Sequence, residues 1–294
     1  MPAEFKTIGI IGKYGDPGIS PTLTALAGFF KARRVEVWLD EDTAHTFPAL
    51  GLNAASRREL GRRCDLAVVV GGDGTLLTVA RALAEFDIPI VGVNLGRLGF
   101  LTDISPTTML DVMQNILAGN YCEEERFLLD ARIERDGRVV AENVAFNEVV
   151  VHKWNMARMI EFEVHVNDLF VDVQRSDGII VSTPTGSTAY ALSGGGPILT
   201  PTLNAIALVP ICPHTMSNRP IVVSGDSRIG IVVCDCKADH AQMTCDGQTN
   251  YDLRDGDRIV IAKKPKPVCL LHPAGHDYFQ ILRAKLRWGS KRET

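Results

Sequence analysis

Three short stretches of this 294-residue chain combine residue types that do chemistry. The first, Gly71-Gly72-Asp73-Gly74-Thr75, follows the apolar run Leu66–Val70 and precedes a segment of helical length and composition. Glycines adopt positive φ and let the backbone approach a ligand closely. A helix N-terminus offers free N–H groups and a positive dipole end to phosphate oxygens. A carboxylate in such a turn repels phosphate, so passive phosphate binding does not account for Asp73. Its presence makes sense if it takes a proton from a hydroxyl nucleophile or works with a metal ion. By pattern alone, a plain strand-to-helix turn with Asp as helix cap reads the same way.

The second stretch runs from Ser182 to Tyr190 and carries six hydroxyl side chains, followed by Gly194-Gly195-Gly196-Pro197. It offers many donors to a ligand bearing ribose, phosphate or amide groups, with the glycines allowing close backbone approach. Equally, the hydroxyls could serve local backbone bonds. The third is Asn147-Glu148, a polar pair in an otherwise apolar stretch, which is costly to bury without partners. It reads either as recognition of a base or sugar edge or as a solvated face. Two absences narrow the chemistry. There is no Gly-x-x-x-x-Gly-Lys-Ser/Thr phosphate loop, and no Gly-x-Gly-x-x-Gly dinucleotide fingerprint after a strand.

The elements that must position these stretches change character along the chain. Up to about residue 118, strand-length apolar runs at 8–11, 35–39, 66–70 and 90–93 alternate with helical stretches at 21–33, 56–63 and 75–86. That alternation predicts an α/β N-terminal domain with a parallel, Rossmann-like sheet. Ser105-Pro106 reads as the cap and first position of a further helix. Beyond residue 121 the period becomes two. Asp136-Gly137 and Asn167-Asp168 mark hairpins, and 139–151 reads as one strand. The C-terminal half is thus expected to be a β-rich, β-sandwich-like domain. The expected division is 1–125, 126–273, and a helix over 274–294 that packs back on the first domain.

Composition limits the partners. Hydrophobic residues make up 46%, charged residues 22%, and the net charge is -4, so nothing favours nucleic acid or an anionic membrane. No leader or apolar span of the ~20 residues a membrane crossing needs is evident. Seven irregularly spaced cysteines imply no disulfide framework, and a cytoplasmic protein is expected. Cys234, Cys236, His240 and Cys245 lie close together, but their spacing fits no common zinc finger.

Taken together with Asn94-Leu95-Gly96-Arg97-Leu98-Gly99-Phe100-Leu101-Thr102, the three stretches resemble the NAD kinase family over nearly the whole chain. Gly-Gly-Asp-Gly-Thr alone is also similar to motifs of diacylglycerol kinases, sphingosine kinases and, more distantly, phosphofructokinases. The resemblance implies transfer of the γ-phosphate of ATP to the 2′-hydroxyl of the adenosine ribose of NAD, giving NADP, with a divalent cation such as Mg²⁺. It implies Asp73 as general base beside Gly74, and Asn147 with Glu148 as the pair that holds NAD. Arg175, Asp177, Thr188, Ala189, Tyr190, Ala191, Leu192 and Ser193 match dinucleotide contacts, as do Arg158 and Gln248 in shorter motifs. Arg175 resembles the branch that prefers oxidised NAD to NADH and ATP to polyphosphate. A homodimer or homotetramer follows from the same resemblance. The rival readings are a lipid or other small-molecule kinase of the same superfamily and a non-catalytic dinucleotide sensor. The first would make Asn147-Glu148 unnecessary and the second would make Asp73 unnecessary.

Overall fold

The computed structural model describes residues 5–96, 98–154, 158–234 and 241–288. Arg97, Cys236 and His240 lie outside them. Two compact units emerge: one contains the described residues through Glu125 and those from Val268 onward, the other Arg126–Pro267.

The first unit is built on a seven-stranded sheet. Its strands are β1 (Thr7–Gly12), β2 (Glu36–Asp40), β3 (Asn53–Ala55), β4 (Leu66–Val70), β5 (Ile90–Val93), β6 (Tyr121–Arg126) and the late strand Val268–Pro273. The order is β3-β2-β1-β4-β5, then the late strand, then β6, and the pairs from β3 to the late strand are parallel. Every residue of β4 and β5 is buried, as expected of strands covered on both faces. Helices α1 (Ser20–Ala32), α2 (Glu41–Thr46), α3 (Arg57–Arg63) and α4 (Asp73–Leu83) connect these strands. α1 buries Leu23, Leu26 and Phe30, spaced three and four residues apart on one face. α3 starts with a capping box, in which Ser56 and Glu59 each bond the other's backbone N–H.

Three sequence expectations change here. The helix expected from Ser105-Pro106 starts later, as α5 (Met109–Leu117), after a turn in which the Ser105 hydroxyl bonds those of Thr107 and Thr108. α4 begins two residues earlier than expected, which puts Asp73 at its first position with Gly72 as cap. The run Val268–Pro273, expected in the β-rich half, lies between β5 and β6, where Val268, Leu270 and Leu271 are buried.

The second unit is a sandwich of two six-stranded antiparallel sheets. One contains β7 (Leu129–Arg135), β8 (Arg138–Ala145), β10 (Ile160–Val166), β11 (Leu169–Ser176), β15 (Ile229–Cys234) and β18 (Arg258–Lys263). The other contains β9 (Glu148–Lys153), β12 (Gly178–Ser182), β13 (Ala205–Ile211), β14 (Ile221–Ser224), β16 (Ala241–Cys245) and β17 (Thr249–Leu253). Between them lies a core that includes Ile133, Phe162, Ile231, Val151, Val181 and Met243. A short helix α6 (Tyr190–Ser193) follows β12; the late strand is therefore β19, followed by α7 (Tyr278–Leu286). Both predicted hairpins form, with positive φ at Asp136, Gly137, Asn167 and Asp168 as primed turns require. The expected single strand 139–151 is broken at Phe146-Asn147, so β8 and β9 belong to different sheets. The Asp246 carboxylate holds that break open by accepting the N–H groups of Phe146 (2.9 Å), Asn147 (2.8 Å) and Glu148 (3.2 Å).

Candidate functional site

In the first unit the parallel strands β1 and β4 lie side by side and their connections leave in opposite directions, to β2 and to β5. Ligands of open α/β sheets bind in the crevice such a reversal leaves beyond the carboxyl ends of the strands. A cavity of about 420 Å³ sits there, lined by Gly12, Lys13, Tyr14, Arg57, Gly72, Gly74, Thr75, Thr78 and Val79.

Asp73 is held by a second loop. Its Oδ2 accepts the Phe100 N–H at 2.8 Å, while Oδ1 accepts the Leu101 and Thr102 N–H groups at 3.2 and 3.1 Å and the Thr102 hydroxyl at 2.9 Å. The carboxylate is thus fixed in orientation, with Oδ2 the less occupied oxygen. Gly99 is required for this approach, since a Cβ there would run into the Asp73 carboxylate and the Thr102 hydroxyl. Lys285 of α7 lies over the ring of Phe100, 5.4 Å from its centre, so the C-terminal helix touches the same loop.

The next residue, Asp103, anchors a buried clasp. Its Oδ2 accepts from Nδ1 of His272 (2.9 Å) and of His276 (2.8 Å), whose rings stack with centroids 3.9 Å apart. Glu124 lies 3.4 Å from His272 Nε2. Burial pushes the Asp103 carboxyl up, but the hydrogen bonds and charge of the two imidazoles prevail and hold it at about 2. Burial likewise pushes His272 down, and its two carboxylate neighbours more than offset that, so its pKa is raised. Among the described residues this is the one grouping of metal-ligating side chains. Ring planes only 24° apart do not converge on an ion at a metal–nitrogen distance of roughly 2.0–2.1 Å. The cluster reads as an ionic clasp between the β19–α7 segment and the Asp73 loop.

In the second unit a cavity of about 390 Å³ is lined by Glu148, Val150, His152, Lys153, Asp177, Tyr190, Ile211, Thr244, Asp246 and Gly247. Of the residues singled out in the sequence, it gathers Glu148, Asp177 and Tyr190. Glu148 is buried, and burial first, then the charge of Asp246, pushes its carboxyl up to about 8. Its Oε2 has no protein partner. At neutral pH Glu148 therefore carries its proton and is a hydrogen-bond donor as well as an acceptor. Asp177 pairs with Lys153 at 2.6 Å. Asn147 is half-buried beside Glu148.

The remaining expected contacts are placed differently. Arg158 and Arg175 are exposed and do not line the cavity, nor do Thr188, Ala189, Leu192, Ser193 and Gln248. The Ala191 side chain is fully buried against Val150, Ile180 and Val209, where the loop folds onto the outer face of its sheet. Several of the hydroxyls serve backbone carbonyls. Thr183 donates to the Phe146 carbonyl at 2.8 Å, Ser187 to that of Pro184 at 2.6 Å and Ser182 to that of Thr183 at 2.9 Å. Gly194 and Gly196 are needed for packing against Val209, since a Cβ would lie 2.9 and 2.7 Å from that side chain. His152, Lys153, Thr244 and Asp246 were not foreseen. Asp246-Gly247, a turn pair between two period-two stretches, was the one available sequence signal.

The chain resembles known proteins over its whole length. The model of the ATP-NAD kinase N-terminal domain matches residues 8–121 and that of the ATP-NAD kinase C-terminal domain matches residues 146–272. An NAD kinase of Nitrosococcus oceani is 50% identical over 291 residues, 99% of each chain. One from Hahella chejuensis is 48% identical over 290 residues, covering 99% of this chain and 98% of that one. Among solved structures, an NAD kinase from Archaeoglobus fulgidus in complex with ATP superposes with a TM-score of 0.74 at 30% identity, covering 96% and 98% of the two chains. Yeast NADH kinase complexed with NADH shares the fold, with a TM-score of 0.91 at 24% identity over 99% and 91%.

Proposed function

The chain belongs to the ATP-NAD kinase family and phosphorylates NAD to NADP, and from that premise we propose that Asp73 takes the proton of the ribose 2′-hydroxyl. The observation that carries this reading is the pinned carboxylate: three N–H groups and a hydroxyl fix Asp73, and Oδ2 accepts only one of them. An incoming hydroxyl can donate to the remaining lone pair of Oδ2. The hydroxyl oxygen attacks the γ-phosphorus, the bond from that phosphorus to the β,γ-bridging oxygen breaks, and ADP leaves with the electron pair. The proton passes to Asp73 late in the step. Such a base supplies ~10²–10⁴-fold of the rate, and the rest comes from positioning and charge neutralisation.

Glu148, Asp177 and Tyr190 hold the dinucleotide in this reading. The protonated Glu148 carboxyl donates to an acceptor on the ligand, and the cavity around it, with polar groups set among the apolar walls of Val150 and Ile211, accommodates a nucleoside. A divalent cation belongs with the donor phosphates. Mg²⁺ takes oxygen ligands and usually keeps several waters beside substrate phosphates, and the hydroxyls of Thr75 and Thr78 in the first cavity are oxygens that would suit it without drawing on Asp73. It would neutralise phosphate charge there. A cytoplasmic homo-oligomer completes the proposal; among the described residues no helix is long and apolar enough to cross a membrane.

The test is purified protein with ATP, Mg²⁺ and NAD, reading NADP by a coupled dehydrogenase, with and without Asp73→Asn. Wild-type turnover in that variant would sink the assignment of Asp73 as base. Sedimentation analysis decides the oligomer, and a single-chain mass would refute it.

A further inference from the structure

Phosphoryl transfer from a triphosphate needs cations near the terminal phosphates, and this chain has no phosphate-loop lysine to supply one. The cavity beyond β1 and β4 does have charge. Of its nine lining residues, Lys13 and Arg57 are the charged ones, and both are basic. The remainder are glycines, two threonines, Val79 and the exposed Tyr14, which suits a chain of phosphates better than a base. Gly72 and Gly74 bring the N-terminus of α4 to the same space.

Both basic groups are positioned from behind. Arg57 is the first residue of α3, whose capping box fixes its start. Its Nε donates to Asp40 Oδ1 at 3.2 Å, and Asp40, at the end of β2, is buried. Burial raises the Asp40 carboxyl and the Arg57 charge opposes that rise. One edge of the guanidinium fork is therefore committed to Asp40. Its outer partner, Asp42, is exposed and only loosely engaged at 3.6 Å. An arginine so oriented keeps its Nη groups for a second, bidentate anion. Lys13, directly after β1, is tied at 3.0 Å to Asp16, an exposed surface partner that phosphate can replace.

We propose that Lys13 and Arg57 grip the terminal phosphates of the donor, with Asp40 as the residue that positions Arg57. This rests on the reading of the Gly71–Thr75 turn as the phosphate-transfer site, and it adds the charge that turn lacks. The grip recognises phosphate chain and not nucleoside, so inorganic tripolyphosphate should compete with ATP.

The experiment uses the full chain with Lys13→Ala, Arg57→Ala and Arg57→Lys. KM for ATP is expected to rise about 10–100-fold in each alanine variant, the range for loss of a hydrogen bond to a charged group. KM for NAD should stay within about twofold, which shows the variants fold and bind the acceptor. Arg57→Lys should recover less than half of the loss on a logarithmic scale, because a point charge lacks the fork. Tripolyphosphate should compete with ATP in the wild type and at least about tenfold more weakly in Arg57→Ala. An unchanged KM for ATP in both alanine variants would overturn the proposal while NADP formation stood. So would equal rises in both KM values, or tripolyphosphate inhibition that ignores the substitutions. Failure of the Asp73 assignment would instead show only in the turnover of Asp73→Asn.

Discussion

Replacing Asp73 by Asn removes more than a base. Oδ1 receives three donors and Oδ2 one, and an amide has a single acceptor atom. With its oxygen toward Leu101 and Thr102, the Asn places an NH₂ group against the Phe100 N–H, donor to donor. Flipped, it faces three donors instead. The cheaper orientation forfeits one bond to a charged acceptor, about 1.5–3 kcal/mol, and weakens three others. A loss of about 3 kcal/mol from the loop is therefore expected, besides the ~10²–10⁴-fold fall in kcat from losing the base. Thr102→Val separates the two effects. It removes the hydroxyl donor alone, about 0.5–1.5 kcal/mol, and keeps the carboxylate with its three N–H partners. Coupled NADP assays at saturating ATP and NAD should give Thr102→Val within a few-fold of wild-type kcat, with Asp73→Asn at least about a hundredfold below. Equal losses in the two variants would mean that loop order, and not proton transfer, carries the rate.

Other outcomes follow from single contacts. Gly99→Ala drives a Cβ into the Asp73 carboxylate, so activity should fall at least tenfold while NAD binding by calorimetry is retained; full activity would refute the close approach. Because Glu148 has its pKa raised to about 8 from a usual 4.5, the stability it contributes is complete below 4.5 and lost as pH rises through about 8. Melting scans between pH 6 and 9 should show the wild type losing stability relative to Glu148→Gln, and NAD affinity should weaken over the same interval; parallel curves would refute a buried, protonated carboxyl. Asp246→Ala strands the N–H groups of Phe146, Asn147 and Glu148, at about 1–3 kcal/mol for each left buried, so the second unit should melt several degrees earlier.

What the sequence disclosed, and what it hid, divides along physical lines. The Gly71–Thr75 turn was legible as the join between a strand and a helix because an apolar run, glycines and a helical stretch follow one another there. The hairpins at Asp136-Gly137 and Asn167-Asp168 were legible because positive φ selects those residues. β6 escaped notice because Glu123, Glu124 and Glu125 look unlike a strand, yet it lies at the edge of its sheet, where charge is tolerated. The hydroxyl-rich loop left two readings open, and the bonds of Thr183 and Ser187 to backbone carbonyls show the local one at those two residues. Asp246 and Arg57 acquire their meaning only from partners distant in the chain, which composition and spacing do not encode. β19 could not be assigned to its sheet from its own residues, because an apolar run fits either unit.

That late strand bears on how the protein is made. Leu270 pairs with Ile90, and β6 lies on the other side of β19. During synthesis at about 5–20 residues per second, β5 therefore waits on the order of ten seconds or more for its neighbour. Over that interval its apolar edge is open to any other unpaired strand. The Arg126–Pro267 unit, contiguous in sequence, has all its strands before then. A nascent chain stalled short of Val268 should thus carry a protease-resistant second unit joined to an adhesive first one. Chaperone capture should concentrate on such chains, and quality control has its clearest signal in whether the segment from Val268 onward has been made.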